Sequence, residues 1–358
     1  MTRKAKLLGI FLVTVLAIAV LLIGCAQPSP TPSSSPKPSP SPTQSAADFY
    51  KNNTVTIVVG FSAGGGTDTA ARLLTAFWTD VTGGSVRIKN QPGGDGILGA
   101  NAAYDAKPDG LTLGVYTIGS MASGALFKDP AVKYEIGKFT YLGLFGQEAE
   151  CFGISVKQPA KTMAELQQVK GLKFGSTGKK PEIGLAMVIR LFALQGAYIV
   201  PGFPSTPEAG LAAGKGEIDG TAASTSSIKA EVDKGFLKPM LTLDYKKSPW
   251  YPNQPTILEL IKPTADDQKL LDIYMPLISG RLLFGPPGMP EDRVQYLREV
   301  LVKIIASDGL KQMAKAYWNT VQPAVPGAEV AATMAKLRSI PESEIAAFNK
   351  VVDSYIRR

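Results

Sequence analysis

The chain has 358 residues, with 38 Lys and Arg against 30 Asp and Glu, no His and two Cys. Without His, the usual catalytic triads, the commonest general base and most zinc sites are excluded, and two Cys are too few for a Cys metal cluster. Charges of both signs are mixed along the chain, which favours a solvated surface over a nucleic-acid-binding one. We therefore expect no metal, no cofactor and no nucleic-acid partner.

The first 24 residues have the pattern of an export signal. A short basic start precedes the apolar run Leu7–Ile23, which is shorter than the roughly 20 residues of a membrane-spanning helix. The run closes in Leu-Ile-Gly24-Cys25, which resembles the lipobox of bacterial lipoproteins. This resemblance implies cleavage before Cys25 and a lipid on its thiol. A plain anchor helix with an incidental Cys is the alternative.

Residues 25–45 are expected to be a tether, because Pro28–Ser45 consists almost entirely of Pro, Ser and Thr and has no apolar residues to bury. Pro-rich segments stay extended at about 3.1 Å per residue. The folded part, residues 46–358, exceeds what one hydrophobic core usually serves, so two lobes are expected. We assign residues 46–152 and 276–358 to lobe 1 and residues 153–275 to lobe 2. We expect an extracytoplasmic, lipid-anchored monomer, at the cell surface or in the periplasm.

Strands alternate with helices through most of the folded part. The predicted strands are Val55–Val59, Val86–Lys89, Leu111–Tyr116, Leu172–Gly175, Tyr198–Val200, Glu217–Thr221, Met240–Leu243 and Arg281–Gly285. The predicted helices are Thr69–Val81, a short one from Ile97, two opened by capping boxes at Thr162 and Ser205, one from Pro181 to Gln195, one between the strands at 217–221 and 240–243, and Glu291–Ile305, Leu310–Trp318, Ala328–Leu337 and Ser343–Ile356. This alternation predicts an α/β fold of mainly parallel sheets flanked by helices, with ligands outside the carboxyl ends of the strands.

The loop Gly60–Asp68 joins the first strand to the first helix and contains three consecutive glycines. Glycines let the backbone approach a ligand closely, and the helix that follows offers free N–H groups and a positive dipole end. This arrangement suits a carboxylate or a phosphate. The loop is not a Walker A loop, because the Lys after the glycines is missing. A tight turn with Thr67 or Asp68 as N-cap is the alternative.

Two other loops have similar character. Asn90–Gly96 follows the second strand, and Lys173–Lys180 follows a strand in the other half of the chain. Ser176 and Thr177 offer hydroxyl groups, and Lys179 offers charge, although a solvated lysine is the favoured interpretation. Two such loops facing one another from two lobes would form a clamp, whereas each alone is compatible with a surface turn.

An ordered series of motifs resembles the solute-binding proteins of the tripartite tricarboxylate transporter family. The family's Phe-x-Ala-Gly-Gly-x-x-Asp motif reads Phe61-Ser-Ala-Gly-Gly-Gly-Thr-Asp68 here, with one extra Gly. Further matches follow in the family's order: Asn90-Gln-Pro-Gly-Gly-Asp-Gly96, Pro108-Asp-Gly-Leu-Thr-Leu113, Lys161-Thr-Met-Ala-Glu-Leu166, Phe174-Gly-Ser-Thr-Gly178, Ala213-Gly-Lys-Gly-Glu-Ile-Asp219 and Gly285-Pro-Pro-Gly-Met-Pro290.

This resemblance implies a two-lobed, type II-like periplasmic-binding-protein fold. Its members hold a small carboxylate between the lobes, mainly through backbone N–H groups and water, and deliver it to membrane permease subunits. The implied ligand-binding residues are Phe61, Ser62, Ala63, Gly64, Gly65, Gly66, Thr67, Asp68, Thr117 and Ser120 from lobe 1, and Ser176, Thr177, Gly178 and Ser224 from lobe 2. The implied hinge strands lie near Phe152–Val156 and Tyr274–Gly280.

The chain departs from the family in the second lobe. Ile199-Val-Pro-Gly-Phe-Pro-Ser205 stands where the family shows His-Val-Pro-Tyr-Lys-Gly, and Lys179, Lys180 and Glu182 occupy the region of another expected His. We therefore do not assign citrate as the ligand. A ligand-sensing lipoprotein without transport, and a binding protein for a different anionic solute, are the alternatives. An enzyme is not expected. Asp68 with Ser176 or a Lys would have to serve as acid and base, and the chain has no nucleophile motif to accompany them.

Overall fold

The computed structural model describes residues 44–277 and 280–357. The export signal, Cys25 and nearly all of the tether lie outside the described residues. Among the described helices, none combines the length and the apolar character that crossing a bilayer requires.

The folded part contains strands that alternate with helices, as the sequence predicts. In chain order the strands are β1 (Thr54–Val59), β2 (Ser85–Asn90), β3 (Thr112–Thr117), β4 (Thr140–Phe145), β5 (Glu150–Ser155), β6 (Lys173–Gly175), β7 (Tyr198–Val200), β8 (Gly220–Ser224), β9 (Leu237–Thr242), β10 (Arg281–Gly285) and β11 (Val325–Pro326).

The helices also follow chain order. They are α1 (Ala46–Lys51), α2 (Gly66–Ala76), α3 (Trp78–Thr82), α4 (Ile97–Tyr104), α5 (Ile118–Leu126), α6 (Met163–Leu166), α7 (Lys179–Leu191), α8 (Thr206–Lys215), α9 (Thr225–Asp233), α10 (Ile257–Leu260), α11 (Ala265–Tyr274), α12 (Glu291–Ala306), α13 (Asp308–Trp318), α14 (Gly327–Arg338) and α15 (Glu342–Asp353). A short 3-10 helix, Met275–Leu277, follows α11.

The strands form two sheets, each the centre of one lobe. The first has the order β11-β4-β10-β3-β1-β2 and the second the order β7-β6-β8-β5-β9. In the first sheet β1 pairs parallel with β2 and β3, and β10 lies antiparallel between β3 and β4. The second sheet repeats this plan, with β6 parallel to β7 and β8 and with β5 antiparallel between β8 and β9. The α/β two-lobed fold is thus confirmed, with one antiparallel strand inserted in each sheet and a further antiparallel pairing of β11 with β4 at the edge of the first.

Several predicted boundaries differ from the structure. The strand predicted at 217–221 lies at Gly220–Ser224, because Gly216 ends α8 in a left-handed conformation and the next residues form a turn. The helix predicted from 69 to 81 begins at Gly66 and is interrupted at Phe77. Ser205 is the N-cap of α8, but its side chain makes no capping hydrogen bond, so the predicted capping box there is wrong.

The path of the chain between the sheets also corrects the sequence-based lobe boundaries. β4 ends at Phe145 and β5 begins at Glu150, so the chain crosses at residues 146–149. The predicted hinge near Phe152–Val156 overlaps β5, a buried strand of the second sheet. At the other end, α15 packs against α7, and the backbone N–H of Ile199 in β7 donates to the Tyr355 carbonyl at 2.7 Å. The C-terminal helix, assigned to lobe 1 from the sequence, therefore packs on the second lobe, and it also contacts Phe127 and Lys128 of the first lobe through Phe348 and Glu342.

Apolar packing covers both faces of the sheets. One cluster, which includes Ile57, Leu74 and Leu301, lies under the helices of the first lobe. Another cluster contains Tyr116 of the first sheet together with Phe174 of the second. Since each fully buried large apolar side chain contributes about 1.5–3 kcal/mol, the shared cluster holds the two lobes against one another.

Candidate ligand-binding site

The loop after β1 is organised by Asp68, whose side chain is fully buried. Its Oδ2 accepts hydrogen bonds from the Gly64 backbone N–H and from Arg72 Nε, both at 2.8 Å. Its Oδ1 accepts from Asn90 Nδ2 at 2.8 Å, and the same Asn90 amide donates to the Phe61 carbonyl at 3.0 Å. Burial raises the pKa of Asp68, but these hydrogen bonds outweigh it and hold the pKa below its usual value. Asp68 therefore shapes the loop from behind.

At the end of this loop, α2 begins at Gly66 with Gly65 as a cap that has no side chain. The first helical hydrogen bond joins the Thr69 N–H to the Gly65 carbonyl, and the N–H groups of a first helical turn have no intrahelical acceptor. A Cβ atom on Gly66 would lie 3.2 Å from both Arg281 Nη2 and Ser227 Oγ. The positive end of α2 thus faces the guanidinium group of Arg281, which belongs to the same lobe, and hydroxyl groups of the opposite lobe.

Ser224, predicted as a site residue, belongs to this contact. Its Oγ would lie 3.7 Å from a Cβ atom on Gly66 and is 2.9 Å from Ser227 Oγ. Ser224 ends β8 and is the N-cap residue of α9. The structure therefore brings together two residues, Gly66 and Ser224, that are far apart in the sequence, and it does so at the carboxyl ends of β1 and β8.

Arg281 is a component of this contact that the sequence analysis missed. It is 3% exposed, its Nη1 donates to the Gly146 carbonyl at 2.9 Å, and it forms an ion pair with Glu148. Glu148 in turn accepts hydrogen bonds from the Ser226 backbone N–H at 2.8 Å and from Ser226 Oγ at 2.9 Å. The available signal was one charged residue at the start of the otherwise apolar strand β10. We refer to Gly66, Ser224, Ser227, Arg281 and Glu148 as the arginine contact.

A second meeting of the lobes involves Asp95, in the loop between β2 and α4. A Cβ atom on Gly178 would lie 2.6 Å from Asp95 Cγ, and the Asp95 carboxyl group is hydrogen-bonded by the Ser120 side chain and the Lys180 backbone N–H. Tyr116 Oη donates to the Asp95 carbonyl at 2.5 Å. Asp95 is therefore the residue through which the predicted site residues Ser120 and Gly178 meet.

The environment of Asp95 is unusual for a carboxylate. Burial raises its pKa to about 7, although hydrogen bonding from Ser120 and the charge of Lys180 act in the opposite direction. Its Oδ2 is inaccessible to solvent and has no hydrogen-bond partner within the described part of the chain. The backbone of Asp95 has a positive φ of 51°. The loop tolerates this because Asp is one of the few residues that adopt the left-handed region readily.

Lys180 connects this region to the strand that enters the second lobe. Its Nζ lies 3.6 Å from Glu150 Oε2, and the Tyr274 hydroxyl donates to the same oxygen at 3.1 Å. Glu150 is 1% exposed, and its Oε1 has no partner among the described residues. The Lys180 side chain crosses Gly119 of α5, since a Cβ atom there would lie 2.7 Å from Lys180 Cδ. Lys180 is thus held in an ion pair between the lobes.

The other sequence-predicted residues have supporting or peripheral positions. Ser176 is buried, and its Oγ donates to the Gly178 carbonyl at 3.1 Å. Thr117 Oγ1 caps α5 by accepting from the Ser120 N–H at 3.2 Å. Lys179 lies at the rim, where its Nζ is 3.2 Å from Asp353 Oδ1. Phe61 packs against Tyr116, Thr67 is buried, Thr177 and Gly65 are partly buried, and Ser62, Ala63 and Gly64 are exposed.

A hollow of about 730 Å³ exists elsewhere, lined among others by Tyr245, Asp272 and Lys336. It contains none of the residues of the two meeting points just described. Its walls carry scattered surface charges, whereas a binding site is marked by polar groups that converge. The arginine contact therefore remains the better candidate.

The chain is similar to proteins of a known family. The sequence model of the tripartite tricarboxylate transporter family receptor matches residues 47–306. A UPF0065 protein of Agrobacterium vitis is 39% identical over 99 residues, so the match spans 28% of that relative's length and 28% of this chain. MatC of Rhodopseudomonas palustris, solved with bound malate, is 26% identical with a TM-score of 0.64, over 84% of this chain and 98% of that one.

A second R. palustris protein, solved with adipate, has the same fold at 20% identity and a TM-score of 0.65, over 84% of this chain and 97% of that one. The family match covers well over half of the chain, and the two sheets agree with these structures. The protein belongs to the tripartite tricarboxylate transporter receptor family.

Proposed function

We propose that this receptor captures a small organic acid between its two lobes, with a carboxylate group of the ligand at the arginine contact, and delivers it to membrane permease subunits. The observation that carries the proposal is the convergence of the α2 N-terminus, the Arg281 guanidinium and the hydroxyl groups of Ser224 and Ser227 on one point between the lobes. Malate bound to the related MatC is in keeping with a carboxylate ligand.

The chemistry of this point suits an anion. Free N–H groups at a helix start donate hydrogen bonds to a carboxylate, which needs no counter-ion there. Serine hydroxyl groups can rotate to donate as well. Arg281 is paired with Glu148, so the pair adds little net charge. Its Nη2 still adds a directed donor toward Gly66. Charge-assisted hydrogen bonds of this kind are roughly twice as strong as neutral ones.

The remaining candidate residues have different roles in this proposal. Asp68, Thr117 and Ser176 shape the loops, because their side chains hydrogen-bond backbone groups. We expect the exposed loop residues, together with the partly buried Phe61, Gly65 and Thr177, to line the entrance, the buried Thr67 to support them, and Ser120 and Gly178 to form the far wall. Closure of the two lobes by a hinge movement would exclude water from the bound acid.

Binding is tested by the melting temperature of the purified protein against mono-, di- and tricarboxylates, aromatic acids and amino acids. A ligand at about 100 times its Kd adds about 2.7 kcal/mol of stability. We expect a dose-dependent rise for one carboxylate class. The same titration with Arg281→Met should lose the rise, whereas the exposed control Arg87→Met should retain it. No rise with any acid after refolding would contradict a carboxylate ligand.

We also propose that the chain is anchored by a lipid on Cys25 and held away from the membrane by the Pro-rich tether, so that it reaches its permease as a monomer. The support is the lipobox sequence that ends in Cys25 and the composition of residues 28–45. Metabolic labelling with a fatty acid should label the wild-type chain and not Cys25→Ser. Labelling of both chains would contradict the assignment of the lipid to Cys25.

A further inference from the structure

The second lobe has its own place for an anion, at the N-terminus of the 13-residue helix α7. The loop Ser176–Gly178, which the sequence predicts to contact the ligand, forms one side of it. This place is filled from the opposite lobe: the Asp95 carboxyl group stands against Gly178 and is hydrogen-bonded by the Lys180 backbone N–H. The protein's own carboxyl group thus sits where a second ligand carboxylate would dock.

The charges around this place are also unfavourable to a second anion. The Lys180 ammonium group is paired with Glu150, with its Nζ 3.6 Å from Glu150 Oε2. The Arg281 guanidinium group is paired with Glu148. Asp95 adds a third acid. The buried Asp95 Oδ2 has no donor in the described part of the chain. A buried acceptor without a donor costs free energy. A ligand that donates a hydrogen bond to Asp95 Oδ2 is therefore favoured.

A short connection joins the two meeting points. Arg281 in β10 is the register partner of Thr117 in β3, and Thr117 caps the helical turn that presents Ser120. Ser120 in turn bonds the Asp95 carboxyl group. This strand pairing and the helical turn place the two meeting points close together on the first lobe. A linear organic acid can then present one end to each of them.

Resting on the proposed function, we propose that Asp95 determines ligand class: the receptor prefers carboxylates that carry a protonated amine at their far end over dicarboxylates of the same length. The ligand carboxylate lies at the arginine contact. The ammonium group lies at the Asp95 wall and donates to Asp95 Oδ2. A dicarboxylate places its second negative charge against Asp95 and is disfavoured by repulsion and by the lack of donors.

The test is isothermal titration of the purified protein with matched pairs: β-alanine with succinate, γ-aminobutyrate with glutarate, and δ-aminovalerate with adipate. Butyrate serves as the ligand without a second polar group. We expect the amine of the best pair to bind at least about 10-fold more tightly than its dicarboxylate, as a charged hydrogen bond implies. Asp95→Asn keeps the side-chain shape and should reduce that ratio about 10-fold or more.

Asp95→Gly is a second variant, because Gly adopts the positive φ of residue 95 without strain, and it should also shift the preference toward the dicarboxylate. Asp105→Asn, at an exposed position, should leave the ratio unchanged. An unchanged ratio in both Asp95 variants, or wild-type protein that binds the dicarboxylate at least as tightly, overturns the inference. If the proposed function itself is wrong, the result is different. In that case neither the ligands of the matched pairs nor butyrate bind in a way that depends on Arg281.

Discussion

Lys180 and Glu150 form an ion pair deep between the lobes, with 3.6 Å between Nζ and Oε2 and with side chains that are 13% and 0% exposed. Lys180 belongs to α7 of the second lobe but crosses Gly119 of the first. Glu150 begins the strand by which the chain enters the second lobe. The pair therefore ties α7 to the region where the chain crosses.

Removing one partner of this pair is expected to be costly. Lys180→Met leaves Glu150 buried with only the Tyr274 hydroxyl as donor, and a buried charge without its partner costs about 3–5 kcal/mol. Urea unfolding should show a loss of that order, and the double variant Lys180→Met/Glu150→Gln should recover most of it. Lys179→Met is the matched control, because its rim ion pairs are worth about 0–1 kcal/mol. Equal losses for both lysine variants would contradict this role.

Gly66→Ala is expected to weaken ligand binding while the protein remains folded. The added Cβ atom would lie 3.2 Å from Arg281 Nη2 and Ser227 Oγ, in the space proposed for the ligand carboxylate. The backbone needs no left-handed conformation there, so the helix tolerates Ala. We expect Kd to rise about 10-fold or more, as the loss of one charged hydrogen bond implies. Titration with the best ligand measures it, and Ala76→Ser at the exposed end of α2 is the control.

Asp68→Asn is expected to loosen the Gly-rich loop. The carboxylate accepts from Gly64, Arg72 and Asn90, and Asn has only one acceptor oxygen to offer them. We expect a stability loss of about 2–4 kcal/mol near neutral pH. Because the pKa of Asp68 is held low in the folded state, its contribution is present above the unfolded pKa and is lost as pH falls through the folded pKa.

The corresponding measurement is the free energy of unfolding at neutral pH and in acid. Wild type and Asp68→Asn should differ most at neutral pH and converge in acid. Asp80→Asn, on an exposed face of α3, provides a comparison in which no hydrogen-bonded hub is lost. A difference that persists unchanged into strong acid would mean that the charge of Asp68 does not support the loop.

Asp95 is expected to give the opposite pH dependence. Its pKa is raised to about 7 by burial, so between its unfolded value and about 7 the folded state holds a proton that the unfolded chain releases. The folded state therefore loses stability as pH rises through this window. The free energy of unfolding of Asp95→Asn should exceed that of wild type only slightly at about pH 4 and by on the order of 2 kcal/mol at about pH 8. Melting curves at both pH values check this, and equal gains would contradict it.

Much of the fold could be read from local signals. The β-branched run at Val55–Val59 forms β1, and Thr162 caps α6 by accepting from the Glu165 N–H at 3.2 Å. Such patterns act through neighbouring residues, so they need no knowledge of the rest of the chain. The Gly-rich loop before α2 is a local signal of the same kind, although the helix begins at Gly66 with Gly65 as its N-cap rather than with Thr67 or Asp68.

What the sequence by itself determined is most of the strands and helices, their order and the loops that present backbone N–H groups, whereas β4, β11 and the helices α1, α5, α10 and α11 were not predicted. The tertiary structure alone decided that β10 enters the first sheet antiparallel, that α15 returns to the second lobe, and that Asp95 meets Gly178. Helix and turn signals arise from contacts a few residues apart, whereas these pairings join segments separated by tens to hundreds of residues. Their geometry follows from how whole sheets pack, and no local pattern in the chain encodes it.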